Sequence, residues 1–203
     1  MSSDFGESYG AEQIRRRSSA LRRLIKSRYI QNLVRVFDGP TIDLGCGAGQ
    51  VLECLPTGSV GLEINDTLIG YLKALRLDVL KYDALADDFA LTPLSGHGPG
   101  RHHHLLSAHV LEHFDDPVHA VKRLAASCDE LGVQSMTFVV PGEKGFSSDP
   151  THRVFVTEAF IRQQGLADCG PFHLDSVSYF PLNWRGLGKW FTYHECILTW
   201  RRR

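Results

Sequence analysis

A glycine-rich segment, Asp43-Leu44-Gly45-Cys46-Gly47-Ala48-Gly49, holds the residues most indicative of chemistry in this sequence. It follows Thr41-Ile42-Asp43-Leu44, which we predict to be a short buried strand. Glycines let the backbone turn sharply and let a ligand approach the main chain closely. Ligands of open α/β sheets bind at the carboxyl ends of the strands. The segment therefore predicts a site for a nucleotide-like ligand.

The spacing of the glycines narrows the kind of ligand. The third glycine is Gly49, and Gln50 occupies the position at which dinucleotide-binding turns carry their third glycine. Asp43 precedes the first glycine by two residues, where it would repel a pyrophosphate but would suit the cationic end of a sulfonium amino acid. A P-loop is excluded because no Gly-Lys-Ser/Thr follows.

Four further polar residues follow predicted strands. Glu63 ends the second strand, where a carboxylate can accept both hydroxyls of a ribose. Asp83 follows the third strand and either contacts a ligand or caps a helix. His109 leaves the fourth strand and His152 follows the fifth, and imidazole can take a proton near neutral pH. We predict His152, oriented by Asp149, as the base; the alternative is that His152 only orders its loop.

A metal site is a second interpretation of the same histidines. His109, Glu112, His113 and His152 are four metal-capable side chains, and such a set suits Zn²⁺ or Fe²⁺ better than Mg²⁺. We favour no metal, because Glu112 and His113 can instead order the loop and cap the next helix. The tract His102-His103-His104 is not assigned as a site, since strand alternation sends neighbours to opposite faces.

Strands and helices alternate along most of the chain. The alternation predicts right-handed crossovers and a parallel sheet covered on both faces. Five strand–helix units and a C-terminal antiparallel hairpin give a seven-stranded, mostly parallel sheet in an α/β Rossmann-like three-layer sandwich. We predict a flexible tail over residues 1–10 and one domain over residues 11–203, in which residues 11–37 form an N-terminal helical cap. We predict one helix from the glycine turn to about Cys54, a second from Asp116-Pro117 to about Ser127, and a third capped by Thr157. The two strands of the hairpin are predicted at about Phe172–Phe180 and Trp190–Trp200.

Composition excludes several classes of protein. The chain has 203 residues, 43% of them hydrophobic and 22% charged, which excludes an intrinsically disordered or fibrous protein. Its net charge of −1 creates no global field for nucleic acid or an anionic membrane. No run reaches the roughly 18 apolar residues of a membrane span. Five cysteines without a CxxC pair argue against a disulfide framework or a zinc knuckle, so we expect a cytoplasmic protein.

Taken in order, the motifs resemble those of the class I SAM-dependent methyltransferases of the small-molecule and glycan type. The glycine turn, Glu63 and Asp83 are followed by Leu105–Pro117, LLSAHVLEHFDDP, which is similar to the fourth-strand exit of that family. The resemblance covers about Thr41 to Thr157. It implies S-adenosyl-L-methionine as cofactor and the following cofactor-binding residues: Asp43, Gly45, Cys46, Gly47, Gly49, Glu63, Ile64, Asp83, Ala84, Ser107 and His109.

The activity implied by the resemblance is methyl transfer to an oxygen or nitrogen of a small molecule or glycan. One alternative is an RNA methyltransferase with a His/Glu metal site, since some small-RNA 2′-O-methyltransferases have a similar Glu-x-x-Glu-His; here His109 stands at the first position. Another is a SAM-binding regulator without turnover. The basic stretch Arg15–Arg35 fits a solvated helix face better than an RNA site. Several aromatic residues either wall an acceptor pocket or form hairpin core: Phe180, Trp184, Trp190, Phe191 and Tyr193.

Overall fold

An eight-stranded sheet is the centre of the protein, for which the computed structural model describes residues 7–18 and 28–203. The strand order is β3-β2-β1-β4-β5-β8-β7-β6. Strands β1 to β5 pair in parallel, and β8, β7 and β6 continue the sheet in antiparallel pairs. The strands are β1 Thr41–Leu44, β2 Val60–Glu63, β3 Val79–Lys81, β4 His104–Ala108, β5 Ser135–Pro141, β6 Asp168–Cys169, β7 Phe172–Phe180 and β8 Glu195–Arg202.

Two helices precede the first strand, and four lie between later strands. They are α1 Glu7–Ser18, α2 over residues 28–34, α3 Asp66–Ala74, α4 Pro117–Glu130, α5 Glu143–Phe146 and α6 Glu158–Gln163. Short 3₁₀ helices occur at Leu52–Cys54, Thr92–Leu94, Leu111–His113 and Arg185–Lys189. The α/β Rossmann-like architecture with a C-terminal antiparallel hairpin is thereby confirmed.

The strand count differs from the seven predicted because of one very short strand. Asp168–Cys169 pairs with the start of β7 across a tight turn at Gly170, whose φ is +57°. Only two residues pair, so no apolar alternation marks this strand in the sequence. The hairpin strand β7 has the bounds predicted for it, and β8 begins later than predicted, at Glu195.

Helix starts follow the capping residues. The side chain of Asp116 accepts a hydrogen bond from the main-chain N–H of His119, and Thr157 accepts one from Phe160. Each cap satisfies one of the N–H groups that the first turn of a helix leaves unpaired. The starts predicted for α4 and α6 are therefore confirmed, and α4 continues three residues beyond Ser127, to Glu130.

The α-helix predicted directly after the glycine turn is wrong. The chain there forms only the 3₁₀ helix Leu52–Cys54, and Leu55 is already extended. Pro56 follows at once, and the residue before a proline is held out of the helical region.

The sheet is apolar on both faces. Ile42, Leu105 and Met136 belong to a large core cluster that includes Leu124 of α4. On the opposite face, Leu106 packs in a smaller cluster that includes Leu33 of α2. Because both faces are covered, the carboxyl edge of the parallel strands is the part of the sheet left open for a ligand.

The N-terminal segments reach this edge. Gly10 of α1 lies against Asn65 and Thr67 at the start of α3, and Tyr29 of α2 makes an edge-to-face contact with Phe180, with ring centroids 5.3 Å apart. Most of the predicted tail and residues 19–27 of the predicted cap lie outside the described residues. Among the residues that are described, no helix combines the length and apolarity needed to cross a bilayer.

Candidate functional site

The glycine turn follows β1 and needs its glycines. Gly45, Gly47 and Gly49 have φ values of +71°, +54° and +74°, in the left-handed region that other L-residues rarely adopt. The main-chain N–H of Gly45 donates to Leu62 O at 2.8 Å. A Cβ on Gly45 would lie 2.4 Å from Val110 Cγ2, so this residue also has no room for a side chain.

Glu63, at the end of β2, holds the turn in place. Its Oε2 accepts the N–H of Gly47 at 2.8 Å, and its Oε1 accepts the N–H groups of Ile64 and Asn65, each at 2.9 Å. Burial raises the pKa of Glu63, and these three hydrogen bonds offset part of the rise. The carboxylate thus links the ends of two neighbouring strands and stays at the edge of the sheet.

A cavity of about 190 Å³ opens between the ends of β1 and β4. The strand order reverses at this point of the sheet, which is where open α/β sheets bind ligands. The structure brings together at its wall seven of the predicted cofactor-binding residues: Gly45, Gly47, Glu63, Ile64, Asp83, Ala84 and His109. His113, which the sequence analysis considered only as a metal-capable or loop-ordering residue, also lines the cavity. The lining residues that the sequence did not single out are Leu44, Leu62, Tyr82, Leu85, Val110 and Phe114.

The remaining predicted cofactor-binding residues are Asp43, Cys46, Gly49 and Ser107, and they are not part of this wall. Cys46 packs its sulfur toward Gly61, and Ser107 is buried within β4. Asp43 is 2% exposed, and its Oδ2 has no hydrogen-bond partner among the described residues. Burial, together with the charge of Glu63, raises the pKa of Asp43 to about 7.

Asp83 combines a structural contact with a position at the cavity. Its Oδ1 accepts hydrogen bonds from the N–H groups of Leu85 and Ala86, each at 3.1 Å, so it caps the turn after β3. The residue also lines the cavity. Its conformation is therefore fixed before any ligand arrives.

His109 leaves β4 in a strained conformation between two carboxylates. Its φ is +59°, which is unusual for a residue other than glycine and frequent at functional sites. Its Nδ1 lies 3.4 Å from Glu112 Oε1, and its Nε2 lies 3.4 Å from Glu195 Oε2. Desolvation lowers the pKa of His109, but the charges of Glu195 and Glu112 outweigh it and raise the pKa to about 10. A protonated imidazole cannot accept a proton, so the geometry favours His152 over His109 as a base.

His152 lies beside Glu112 and His113, because its loop is anchored there. The N–H of Arg153 donates to Glu112 O at 2.8 Å, which brings the loop after β5 to the loop after β4. His152 Nε2 lies 3.8 Å from Glu112 Oε1, and the rings of His113 and His152 are 4.8 Å apart. Four residues were considered above as metal ligands. Three of them, Glu112, His113 and His152, each have one ligand atom within 4.8 Å of those of the other two.

Asp149 does not orient His152 by a hydrogen bond. Its Oδ1 accepts the N–H and the hydroxyl of Thr151, at 2.9 and 2.6 Å. His152 Nδ1 donates instead to Phe146 O at 2.8 Å, and the two rings stack. The prediction for Asp149 is corrected: a main-chain carbonyl, which no sequence pattern announces, fixes the ring.

Two residues near His109 were missed by the sequence analysis. Glu195 begins β8, and its Oε2 is buried without a hydrogen-bond partner among the described residues. The hydroxyl of Tyr29 is also buried and lacks a hydrogen-bond partner in the described part of the chain. The carboxylates of Glu195, Asp43 and Glu112 act on it electrostatically, and with burial they hold the pKa of Tyr29 well above its ordinary value. Nothing in the local sequence marks either residue, because long-range pairing brings them to the site.

The predicted aromatic group lies mainly at the surface. Four of its members are at least a third exposed and so are not hairpin core: Trp184, Trp190, Phe191 and Tyr193. Phe180 instead contacts Tyr29. A second cavity, of about 210 Å³, lies beside this loop and is lined in part by Tyr179, Arg185 and His194.

Comparison with solved structures agrees with this geometry. A SAM-dependent methyltransferase from Archaeoglobus fulgidus superposes with a TM-score of 0.69 at 20% identity, covering 96% of this chain and 99% of that one. The chain has the fold of the class I SAM-dependent methyltransferases. The magnesium protoporphyrin IX methyltransferase of Synechocystis PCC 6803, solved with bound SAH, shares this methyltransferase fold, with a TM-score of 0.62, 16% identity and coverage of 97% and 95%.

The methyltransferase domain of bacterial CtHen1-C also shares the fold, with a TM-score of 0.59, 16% identity, and coverage of 87% of this chain and 95% of that one. No protein-family profile and no curated protein matches the sequence. The methyltransferase fold is thus established by structure, at identities too low to carry over a substrate.

Proposed function

We propose that this protein is a SAM-dependent methyltransferase that transfers a methyl group to an oxygen or nitrogen of a small molecule or glycan. The observation that carries the proposal is the cavity between β1 and β4, whose wall combines the glycine turn with Glu63 and Asp83. The solved structures of the same fold that bind SAH or act with SAM support the choice of cofactor.

Each part of the cavity suits one part of SAM. Main-chain N–H groups use three of the roughly four acceptor sites of the Glu63 carboxylate, so one site, on Oε2, is left to accept a ribose hydroxyl. Asp83 and Ala84 line the same cavity and are the residues proposed for the adenine. Asp43 is a buried acid close to the turn, and a cationic ligand would favour its ionised form.

The acceptor would approach from the side of His109 and His152. SAM supplies an activated methyl group, so the protein's main task is to hold the acceptor atom in line with it. Because His152 Nδ1 donates to a carbonyl, its neutral ring carries the lone pair on Nε2. That nitrogen can take a proton from an acceptor, or it can ligate an ion that makes the proton easier to lose.

Calorimetry with SAM, SAH and NADH tests the cofactor. We expect binding of SAM and SAH and none of NADH; binding of NADH alone would contradict the proposal. A second assay measures SAH formation with alcohols, phenols, sugars, amines and structured RNA. Turnover only with RNA would select the alternative acceptor class, and tight SAM binding without turnover on any of them would favour a ligand-binding regulator.

A further inference from the structure

The segment that connects β7 to β8, residues 181–194, carries large apolar side chains at its surface, and we call it the aromatic loop. Trp190 is 75% exposed and Trp184 is 61% exposed. More than half of the exposed large hydrophobic side chains in the described part of the chain come from this loop: Leu182, Trp184, Trp190, Phe191 and Tyr193. Single exposed apolar residues are ordinary, but such a group in one short loop marks an interaction surface.

The aromatic loop is folded, so its main chain holds these side chains outward. It contains the 3₁₀ helix Arg185–Lys189. Lys144 Nζ of α5 donates to Trp190 O at 3.0 Å, and His194 Nε2 donates to Trp184 O at 3.2 Å. The main chain at each tryptophan is thereby anchored, whereas each ring stays at the surface.

The charge of the aromatic loop is positive. Arg185 and Lys189 are exposed, and residues 181–194 contain no aspartate or glutamate. Helix α5, which is tied to the loop by the hydrogen bond of Lys144, adds one charge of each sign, since Glu143 stands beside Lys144. The whole chain has a net charge of −1, so this positive surface is local. The partner that fits the loop is therefore both apolar and anionic.

The aromatic loop leaves the same edge of the sheet as the proposed cofactor cavity. It runs from the end of β7 to the start of β8, where Glu195 pairs with Pro141 at the end of β5. Strand β5 is parallel to β4 and β1, so its end lies at the carboxyl edge, where the cavity opens. A flat surface that binds the loop therefore faces the cavity edge of the protein.

We propose that the aromatic loop docks this protein on an anionic lipid bilayer. Tryptophan and tyrosine favour the boundary between headgroups and acyl chains, because their rings are apolar and carry one polar group. The two exposed tryptophans, with Leu182 and Phe191, enter this boundary, and Arg185 and Lys189 meet the lipid phosphates. The docking is independent of the proposed methyl transfer, which it would carry out at the bilayer surface.

Two features favour a bilayer over RNA or a protein partner. Surfaces that bind single-stranded RNA combine a positively charged groove along the phosphates with rings that stack on bases, whereas this loop has only two cations and also exposes the aliphatic Leu182. Protein interfaces are depleted in lysine, whereas here Lys189 stands directly beside Trp190, the more exposed of the two tryptophans.

Binding of vesicles by the full chain tests the proposal. The probes are vesicles of phosphatidylcholine alone and vesicles of phosphatidylcholine with an equal amount of phosphatidylglycerol. We expect the protein to sediment with the second kind at low salt, less so as salt rises, and little with the first. Tryptophan fluorescence should shift to shorter wavelength on binding, because Trp184 and Trp190 leave water while Trp200 is already buried.

Two double variants each remove one tryptophan and one cation: Trp190→Ala with Lys189→Gln, and Trp184→Ala with Arg185→Gln. One cation at a membrane surface is worth about fivefold in affinity, and an inserted tryptophan at least as much, so each variant should bind at least ~20-fold more weakly. The matched control is Leu75→Ala with Lys73→Gln, which removes an exposed apolar side chain and a lysine from α3 and should bind as the wild type does. Thermal melting of every variant shows whether it has folded.

The inference is overturned if the wild type binds neither kind of vesicle or both kinds equally. It is also overturned if either folded double variant binds as the wild type does, or if the control binds as weakly as they do. Binding of structured RNA in place of vesicles, or self-association that the double variants abolish, would assign the loop to RNA or to a second copy of the chain. A protein that binds vesicles but neither SAM nor SAH overturns the proposed function alone, and SAM binding without vesicle binding overturns this inference alone.

Discussion

The carboxylate of Glu63 accepts the main-chain N–H of Gly47 at 2.8 Å, and so joins the end of β2 to the turn after β1. Gly47 has a φ of +54°, and this hydrogen bond helps to hold it there. The geometry of the cavity therefore depends on a charged side chain from a neighbouring strand as well as on the glycines. The same carboxylate is the group that we propose for the ribose.

Glu63→Ala is predicted to abolish measurable SAH binding. The change leaves three main-chain N–H groups without their acceptor and removes the proposed ribose contact. Hydrogen bonds to a charged group are worth about 1.5–3 kcal/mol each, so a loss of ~100-fold or more in affinity is expected. Glu63→Gln keeps one acceptor oxygen and should lie between the two. Calorimetry with SAH measures all three proteins, and unchanged affinity in Glu63→Ala would exclude this carboxylate from the cofactor site.

Gly45→Ala and Gly47→Ala are predicted to differ, although both residues have positive φ. A left-handed conformation costs a non-glycine residue about 1–2 kcal/mol, and both variants should lose that much stability. At Gly45 the new Cβ also meets Val110 Cγ2 at 2.4 Å, whereas at Gly47 no atom lies within 4 Å. Thermal or urea unfolding should therefore show the larger loss for Gly45→Ala. Equal losses would mean that Val110 moves aside without cost.

The sequence predicted the parallel sheet and the carboxyl edge as the site because these depend on local patterns. Buried apolar strands, a glycine turn and capping residues such as Asp116 and Thr157 act over a few neighbouring residues. The α-helix predicted between the glycine turn and Pro56 is replaced by the single 3₁₀ turn Leu52–Cys54. Strand β6 was not predicted because its two residues are too few to show an alternation of apolar and polar side chains.

The surroundings of His109 were not predictable in the same way. Glu195 reaches it through the pairing of β8 with β5. Tyr29, on which Glu195 and Glu112 act electrostatically, belongs to α2, which packs on the far face of the sheet. Neither residue stands near His109 in the sequence. His152 donates to the main-chain oxygen of Phe146, so this hydrogen bond depends on the path of the loop and could not be predicted from the side chain of residue 146.

SAM affinity is predicted to rise with pH between about 5.5 and 7.5. Burial and the charge of Glu63 raise the pKa of Asp43 from 3.8 to about 7, so the ligand-free site holds a proton in acid. A cationic ligand favours the ionised carboxylate, so binding must release that proton, and below the raised pKa affinity should fall by up to about tenfold per pH unit. Calorimetry in buffers of different ionisation enthalpy measures the released proton.

The matched variant for this pH effect is Asp43→Asn, which cannot ionise. Its SAM affinity should be weaker at pH 7.5 and nearly independent of pH in this range. The raised pKa of Asp43 also affects the stability of the ligand-free protein. The folded state holds the proton of this carboxyl more tightly than the unfolded state does. The free energy of unfolding should therefore fall as pH rises from about 4 to 7. Asp43→Asn should lose that part of the decline, and an unchanged profile would place the titrating group elsewhere.

Tyr29→Phe is predicted to separate stability from activity. The hydroxyl of Tyr29 is buried and has no hydrogen-bond partner among the described residues, so removing it deletes no bond and relieves the burial of an unpaired polar group. The ring keeps its contact with Phe180. The melting temperature of the ligand-free protein should therefore stay the same or rise, and SAH affinity should be unchanged because Tyr29 does not line the cavity.

Turnover, in contrast, should fall in Tyr29→Phe. The carboxylates of Glu195, Asp43 and Glu112 act electrostatically on the hydroxyl, and two of them also flank His109, so we propose that the hydroxyl contacts the acceptor. A hydrogen bond to an acceptor group is worth about 0.5–1.5 kcal/mol, which corresponds to a loss of roughly 2- to 13-fold in kcat/KM. SAH formation with the best acceptor of the panel measures it. Tyr29→Ala is the contrasting variant, since it also removes the ring from Phe180 and should lower the melting temperature. If Tyr29→Phe instead lost stability at full turnover, the hydroxyl would be a structural group and the acceptor would lie elsewhere.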